Sequence, residues 1–287
     1  MKNVIFLGGD RRMVYAAEVF KREYNCVICG FGGNDSSALN AELEYDYAVL
    51  PIQPTRDGKT IPTPLSADAP TIGFDVLKGI MKRNAVIFTG NTCSALERLC
   101  REEGYTLINY FEREEIAVAN AVPTAEGALE IAISRLPVTI FGSTALITGF
   151  GRIAKILGRY LHGLGARVYI ACRKKSDLKW AEIYGFKAID ITDRECFNSA
   201  AAKADVIFNT VPFGVFTRET VSGFKEEALY IELASTDGIE RGGAEKLKFE
   251  RVIARGLPGK TAPVTAGQII AETIKNILIE RRGENDA

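Results

Sequence analysis

The chain has little of several residue types that mark common kinds of site. Its 287 residues include one histidine, His162, one tryptophan and three methionines. A single histidine excludes the histidine clusters that hold zinc or iron in many enzymes. The formal net charge is zero, with 36 basic and 36 acidic residues. Because phosphate recognition by nucleic-acid-binding proteins needs an excess of basic charge, we predict no nucleic-acid partner.

Long apolar runs are also lacking. No run approaches the roughly 20 residues of a membrane-spanning helix, and the N-terminus "MKNVIFLGGDRR" has no small-residue cleavage site. We therefore predict a cytoplasmic protein without a membrane partner. The six cysteines are scattered, and Cys26 and Cys29 form a C-x-x-C inside an apparent strand, where residues three apart point to opposite faces. We interpret the cysteines as free thiols and predict no metal site.

Short apolar runs alternate with helical patterns in the first half of the chain. Because the runs are continuously apolar, they favour buried parallel strands within repeated βαβ units. The predicted strands are 3–8, 26–31, 47–51, 85–90 and 106–110, and the predicted helices are 11–22, 72–82 and 92–103.

The βαβ pattern restarts after a long helical segment, 111–136, in which Pro123 is expected to cause a kink or break. We predict two Rossmann-like doubly wound parallel-sheet domains joined by this helix, with the C-terminal helix, 265–282, packing back on the N-terminal domain. The predicted domains are 1–120 plus 265–287 for substrate and 121–264 for NAD(P). The strands predicted for the second domain are 144–148, 167–171, 187–191, 205–211, 228–234 and 251–256.

One glycine turn of the second half satisfies the dinucleotide fingerprint. The segment from Gly149 to Ala154 reads G-x-G-x-x-A between a predicted strand and helix. Gly149 permits the tight turn, Gly151 leaves room for a pyrophosphate, and Ala154 lets helix and strand pack closely. We predict that this turn binds a nicotinamide dinucleotide through Gly149, Phe150, Gly151, Arg152 and Ile153.

The end of the next predicted strand bears on the choice between NAD and NADP. NAD sites usually carry Asp or Glu there, whereas this chain has Cys172-Arg173-Lys174-Lys175-Ser176. Cations would bind a 2′-phosphate, so we predict NADP, bound by Arg173, Lys174 and Ser176. The alternative is a solvated basic loop with NAD still accepted.

The glycine turn of the first half lacks the G-x-G spacing. Gly8-Gly9-Asp10 is followed by Arg11 and Arg12, which at a helix N-terminus favour a carboxylate over a nucleotide. The plain interpretation of Asp10 is a helix N-cap. Five of the chain's ten prolines lie in 51–70, a loop after a predicted strand, at the sheet edge where ligands bind.

Several segments resemble the A subunit of dipicolinate synthase, over nearly the whole chain. They are "GGD-x-R", "FEREEIAVANAVPTAEGAL", "GFGRIAKIL", "FNTVP", "ELAS" and "GLPGKTAPVTAGQIIA". The resemblance implies NADP-linked oxidation of dihydrodipicolinate, or its hydrated precursor, to dipicolinate (pyridine-2,6-dicarboxylate) during endospore formation. It also implies the mother-cell cytoplasm as the location and, as partner, a flavoprotein-like B subunit. The sequence does not decide whether the chain forms a homo-oligomer.

A dicarboxylate substrate needs two anchors that are cationic or rich in N–H groups. A loop with Arg56 is a further candidate anchor. The predicted substrate-binding residues are Arg11, Arg12, Lys59, Thr89, Gly90 and Asn91. Two later strand ends are expected at the nicotinamide, with the residues Asn209, Thr210, Val211, Pro212, Glu232, Leu233, Ala234 and Ser235.

No proton acceptor is obvious. The catalytic candidates are Asp10, Glu126 and Lys260, while His162 is interpreted as a surface or helix-end residue. This lack leaves a non-catalytic subunit that binds NADP and substrate as an alternative. A D-2-hydroxyacid dehydrogenase has the same plan but needs a histidine and an arginine at the nicotinamide. Here Ser235 stands at the arginine position, and no histidine follows His162.

Overall fold

The computed structural model describes residues 1–32, 39, 43–66, 71–240 and 248–285. The chain divides into two compact units. Unit 1 comprises Met1–Asn120 and Ala262–Ala287, and unit 2 comprises Ala121–Thr261.

The elements follow one another as alternating strands and helices. In chain order they are β1 (Asn3–Leu7), α1 (Arg11–Phe20), β2 (Asn25–Cys29), β3 (Tyr45–Val49), β4 (Thr60–Ile61), β5 (Ile72–Gly73), α2 (Val76–Ile80), β6 (Met81–Thr89), α3 (Ser94–Glu103), β7 (Thr106–Asn109), α4 (Glu114–Arg135), β8 (Thr144–Thr148), α5 (Arg152–Gly163), β9 (Arg167–Cys172), α6 (Lys175–Ile183), β10 (Lys187–Asp190), α7 (Arg194–Lys203), β11 (Val206–Asn209), α8 (Arg218–Ser222), β12 (Leu229–Glu232), β13 (Glu250–Ile253), α9 (Leu257–Thr261) and α10 (Pro263–Asn285).

Unit 1 is built on a five-stranded parallel sheet in the order β2-β1-β3-β6-β7. The strands are apolar on both sides because helices cover both faces. Residues of α1 and α10 form the core on one face, and residues of α2 and α3 form it on the other. Cys26 packs with the first core and Cys29 with the second, as the strand interpretation of the C-x-x-C predicted.

The C-terminal helix packs on unit 1, which confirms the predicted return of the chain. A Cβ added at Gly267 of α10 would lie 2.5 Å from the carbonyl oxygen of Arg12 and 2.7 Å from Tyr15 Cβ. Only glycine permits this approach of α10 to α1. The apolar side of α10 then completes the core with Ile270, Ala271, Ile274, Ile277 and Leu278.

Unit 2 is a six-stranded parallel sheet in the order β10-β9-β8-β11-β12-β13. The strand order reverses between β8 and β11, which makes their carboxyl ends the topological switch point, the usual position of a dinucleotide. The predicted fold class of two doubly wound parallel sheets is confirmed. The main departure is the predicted helix 72–82, where Ile72–Gly73 pair with Thr60–Ile61 as a short antiparallel ribbon and only Val76–Ile80 are helical.

Helix α4 continues through Pro123, so the predicted break is absent. By length and composition alone, α4 is the one helix of the described chain that could span a membrane, with a mean hydropathy of 1.3 over its most apolar window. Core helices of soluble proteins pass the same test. Its Ile116 packs in the core of unit 1, and its Ala125 and Ala128 pack in the core of unit 2.

Candidate functional site

The glycine turn of unit 2 has the geometry of a pyrophosphate cradle. Gly149 has φ +83°, and a Cβ there would lie 2.8 Å from Thr210 Oγ1. Gly151 is the N-cap of α5, and a Cβ there would meet no atom within 4 Å. Ala154 is fully buried. The space beside the N-terminus of α5 is therefore open, and its N–H groups are available to an anion.

The three other predicted residues of the turn divide between core and surface. The Phe150 ring packs inward, with its centroid 6.4 Å from that of Phe186, and Lys155 Nζ lies 5.5 Å from the Phe150 centroid. Arg152 is exposed and Ile153 is half-buried. Phe150 thus anchors the turn to the core rather than pointing to a ligand.

A cleft of about 470 Å³ adjoins this turn at the end of β9. Gly149, Arg173 and Lys174 line it, together with Arg194 from the start of α7 and one carboxylate, Asp177. Three cations around one cleft suit a phosphate-bearing ligand.

Two neighbours of Lys174 are placed differently. Lys175 Nζ lies 2.5 Å from Asp190 Oδ2, so this lysine is held by an ion pair. Ser176 is exposed and does not line the cleft. Sequence reasoning missed Arg194, although it begins the helix that follows the third strand of the βαβαβ unit.

A buried glutamate organises the strand ends of unit 2. Glu232, at the end of β12, is fully buried and accepts four hydrogen bonds. The donors are Asn209 Nδ2 at 2.7 Å, the Tyr230 hydroxyl at 2.8 Å, Gly238 N at 2.8 Å and Ala234 N at 3.1 Å. Burial, and then Glu232, raise the pKa of Tyr230, so its hydroxyl stays protonated and donates.

The same network crosses the switch point. Thr148 Oγ1, at the end of β8, donates to Asn209 Oδ1 at 2.6 Å, and Val211 N donates to the same oxygen at 3.2 Å. Asn209 therefore links three neighbouring strand ends, through Thr148 and Glu232. Sequence analysis missed Thr148 and placed Glu232 at the nicotinamide without its buried network, for which the signal was a carboxylate inside the apolar run "ALYIELA".

The other predicted strand-end residues surround this network. Thr210 Oγ1 donates to the Thr148 carbonyl at 2.7 Å, Val211 is half-buried, and Ala234 is buried. Leu233 packs against the core of unit 2. The two exposed members are Pro212 and Ser235.

The glycine turn of unit 1 makes room for the proline-rich loop and hydrogen-bonds to it. Gly8 and Gly9 have φ +62° and +98°, and a Cβ at Gly8 would lie 2.6 Å from the Pro62 carbonyl oxygen. Gly9 N donates to that oxygen at 2.7 Å. These glycines let the proline-rich loop lie directly on the turn, which explains their failure to match a nucleotide fingerprint.

Asp10 and Arg12 are held together. Asp10 caps α1 by accepting from Arg12 N at 3.1 Å, and its carboxylate is 2.7 Å from Arg12 Nη2. Burial favours a higher pKa for Asp10, but the Arg12 guanidinium outweighs it and holds the pKa below its ordinary value. A carboxylate with a lowered pKa is a weak general base, so the geometry does not favour Asp10 as proton acceptor.

A small cleft of about 160 Å³ lies at this turn. Its lining includes Arg12, Arg56, Gln53 and Asp10. Two arginines in one small cleft are suited to an anion with two carboxylates.

Other predicted substrate residues do not line this cleft. Arg11 is exposed, and Lys59 lines a separate cleft that also contains Lys78 and Arg98. Thr89 is fully buried, with its hydroxyl donating to the Asn91 carbonyl at 2.7 Å. A Cβ at Gly90 would lie 2.4 Å from Ile52 Cα, so Gly90, like Gly8, provides room for the loop. Asn91 is exposed.

The remaining catalytic candidates are surface residues. Glu126 is exposed on α4, with Oε1 3.5 Å from the Tyr160 hydroxyl, about 12 Å along α5 from its start. Lys260 is exposed on α9. His162 is exposed, with its ring 5.9 Å from that of Phe186, as expected for helix-end packing.

Two motif segments that carried the resemblance meet within unit 2. A Cβ at Gly127, in "PTAEGAL", would lie 2.6 Å from Thr261 Oγ1 and 3.1 Å from Leu257 Cβ, in "GLPGKT". Gly127 thus permits close packing of α4 against α9. Helix packing accounts for Gly127, while the catalytic roles of Glu126 and Lys260 stay predictions.

The fold and the glycine turn define the class first. Two doubly wound parallel sheets, one with a G-x-G-x-x-A turn at its switch point, are the plan of a nicotinamide-dependent oxidoreductase. Residues 143–233 match the family model described as NADP oxidoreductase coenzyme F420-dependent. The fold of a transhydrogenase from Sinorhizobium meliloti is similar, with a TM-score of 0.67 and 13% identity over 96% of this chain and 92% of that one.

Three further matches are to the A subunit of dipicolinate synthase. Residues 3–111 match the family model for the N-terminal domain of the dipicolinate synthase A subunit. The chain is 28% identical to the A subunit of dipicolinate synthase from Bacillus subtilis, over 98% of its own length and 97% of that protein. The crystal structure of the same subunit from Bacillus halodurans is similar with a TM-score of 0.84 and 26% identity, covering 96% and 97% of the two chains. The chain is therefore similar to dipicolinate synthase A subunits over nearly its whole length, as its motifs predicted.

Proposed function

We propose that the chain oxidises dihydrodipicolinate, or its hydrated precursor, to dipicolinate with NADP⁺. The observation that supports this most is the open turn at Gly151 beside a cleft lined by Arg173, Lys174 and Arg194. Together with the similarity to dipicolinate synthase A subunits, it favours a redox role with a phosphate-bearing dinucleotide. The predicted partner is a flavoprotein-like B subunit, and the predicted setting is the mother-cell cytoplasm during endospore formation.

The reaction needs little from side chains. Aromatising a dihydropyridine dicarboxylate removes one hydride and one proton, and a bound nicotinamide supplies the hydride acceptor. The chain binds and orients the substrate. Arg12 and Arg56 hold the two carboxylates in the cleft of unit 1, and the proton passes to water because Asp10 is a weak base.

Arg173→Ala tests the choice of NADP. We expect the affinity for NADP⁺ to fall about tenfold to a hundredfold, since a charged hydrogen bond contributes about 1.5–3 kcal/mol, and the affinity for NAD⁺ to change much less. Calorimetric titration with each dinucleotide measures this. The control is Lys179→Ala, an exposed cation of α6 that pairs with Glu182. Equal losses for both dinucleotides would overturn the 2′-phosphate assignment.

Arg12→Ala tests the substrate cleft. We expect the affinity for dipicolinate, a stable dicarboxylate ligand, to fall at least tenfold, because one carboxylate loses a partner worth about 1.5–3 kcal/mol. Arg11→Ala is the matched control, since Arg11 is adjacent but exposed and outside the cleft. Affinity for NADP⁺ should be the same in both variants. If Arg11→Ala weakens dipicolinate binding more than Arg12→Ala does, the substrate lies elsewhere.

The overall proposal is tested by dipicolinate formation from freshly generated dihydrodipicolinate. We expect the purified chain with NADP⁺ to form dipicolinate and NADPH in equal amounts. The alternative is a non-catalytic subunit that binds NADP and substrate, which is favoured by the exposed positions of Glu126 and Lys260 and the lowered pKa of Asp10. Product only after addition of the B subunit would support that alternative.

A further inference from the structure

A second polar cleft lies at the opposite edge of the unit 1 sheet. The strands β1, β3 and β6 are parallel neighbours, so their amino ends share one edge, while the Gly8 turn and Thr89 lie at the carboxyl edge. A cleft of about 480 Å³ opens at the amino edge. Neither the predicted substrate site nor the dinucleotide site includes any of its lining residues.

An irregularity in β6 builds one wall of this cleft. Tyr45 is paired with Met81, but Tyr47 is paired with Val86, so 82–85 stand opposite one residue of β3. Within this bulge Asn84 has φ +60°, the only positive φ of a non-glycine residue in the described chain. Bulges and left-handed non-glycine residues are enriched near functional sites. The bulge directs Lys82 and Arg83 to the cleft.

A buried carboxylate fixes two of the cations. Asp46, only 8% exposed, lies 2.9 Å from Lys2 Nζ and 3.0 Å from Lys82 Nζ, and also accepts from Asn3 N at 2.9 Å. Burial favours a higher pKa for Asp46, but the hydrogen bonds from Asn3 and the two lysines hold it below its ordinary value. Asp46 therefore stays charged and holds both lysines at the rim of the cleft.

The cleft has more cationic side chains than this single carboxylate can neutralise. Arg281 and Arg282 of α10 join Arg83 in the lining. Apart from Arg281, the described lining has four cationic side chains and one carboxylate, a local excess of three positive charges in a chain whose formal net charge is zero. The two α10 arginines are favoured by the negative end of their helix, but that dipole does not account for Lys82 and Arg83 on the bulge.

We propose that this cleft binds a small polyanion with three to four negative charges, of the triphosphate class. Arginine and lysine together match phosphate oxygens, and an anion of that charge balances the local excess. Its volume of about 480 Å³ leaves room for more than one phosphate group. The proposal does not depend on the chemistry at the dinucleotide turn.

The test is calorimetric titration of the full chain with sodium tripolyphosphate and, separately, with ATP, both in saturating NADP⁺. We expect one site with micromolar affinity that weakens steeply with salt. Equal affinity for the two probes would show that the cleft recognises only the phosphates. Tighter binding of ATP would show that it also contacts the nucleoside. Competition with NADP⁺ would place the binding in the cleft of unit 2 and overturn the proposal.

Variants locate the site. The double variant Arg83→Ala with Arg282→Ala should weaken tripolyphosphate binding at least thirtyfold, as expected for two lost charged contacts. Arg22→Ala with Arg101→Ala removes two exposed arginines of the same unit outside the cleft and should leave binding unchanged. Unchanged affinity in the first double variant, or no binding of either probe below millimolar concentration, would overturn the proposal. Neither outcome would count against the proposed formation of dipicolinate, because that reaction does not use this cleft.

Discussion

Gly151→Asp is expected to lower the affinity for NADP⁺ at least a hundredfold. The new carboxylate would enter the open space at the N-terminus of α5, where the proposed pyrophosphate approaches N–H groups. Repulsion between like charges and the loss of at least one charged hydrogen bond together amount to about 3 kcal/mol, and 1.4 kcal/mol corresponds to a factor of ten. Calorimetric titration with NADP⁺ measures the loss.

The free structure predicts that this variant still folds. A Cβ at Gly151 meets no atom within 4 Å, so the substitution disturbs no packing in the absence of nucleotide. Gly163→Asp is the matched control, because Gly163 ends the same helix and a Cβ there also meets nothing within 4 Å. Both variants should melt close to the parent chain. Intact NADP⁺ binding in Gly151→Asp would show that the dinucleotide does not use this turn.

Local sequence patterns predicted most of the fold. Strands such as Val206–Asn209 and Thr144–Thr148 are short and apolar on both faces, and a pattern that local is visible without tertiary contacts. The segment 72–82 was harder, because its short antiparallel ribbon depends on pairing with Thr60 and Ile61, which precede it in the chain. The helix does not break at Pro123, because its surroundings are held by packing, which overrides a local preference.

The candidate site was likewise predicted where its residues are close in sequence, and not where it depends on contacts between distant residues. The turn Gly149–Ala154 is one contiguous motif, so the sequence identified it with its correct flanking strand and helix. The grouping of Arg12 with Arg56 and the separation of Lys59 depend on how the proline-rich loop lies on Gly8, Gly9 and Gly90. Such contacts join residues far apart in sequence, and no spacing rule predicts them.

Glu232 is the residue whose structural role the sequence revealed least. In a strand pattern it reads as a polar interruption, but its carboxylate accepts from Asn209, Tyr230, Ala234 and Gly238. A buried carboxylate is tolerated only when such donors satisfy it. Two of the donors are main-chain N–H groups that cannot turn away, which makes the site intolerant even of the corresponding amide.

Glu232→Gln should therefore lower the free energy of unfolding of unit 2 by about 2–4 kcal/mol. The amide NH₂ would point at least one donor at another donor, and each unsatisfied buried group costs about 1–3 kcal/mol. Urea unfolding followed by fluorescence of the single tryptophan, Trp180, reports on unit 2 because Trp180 lies in α6. Glu227→Gln, an exposed change just before β12, is the control and should unfold as the parent does. Because the same network includes Asn209 at the switch point, NADP⁺ affinity should fall together with stability. Equal midpoints for both variants would mean that the four hydrogen bonds to Glu232 do not stabilise these strand ends.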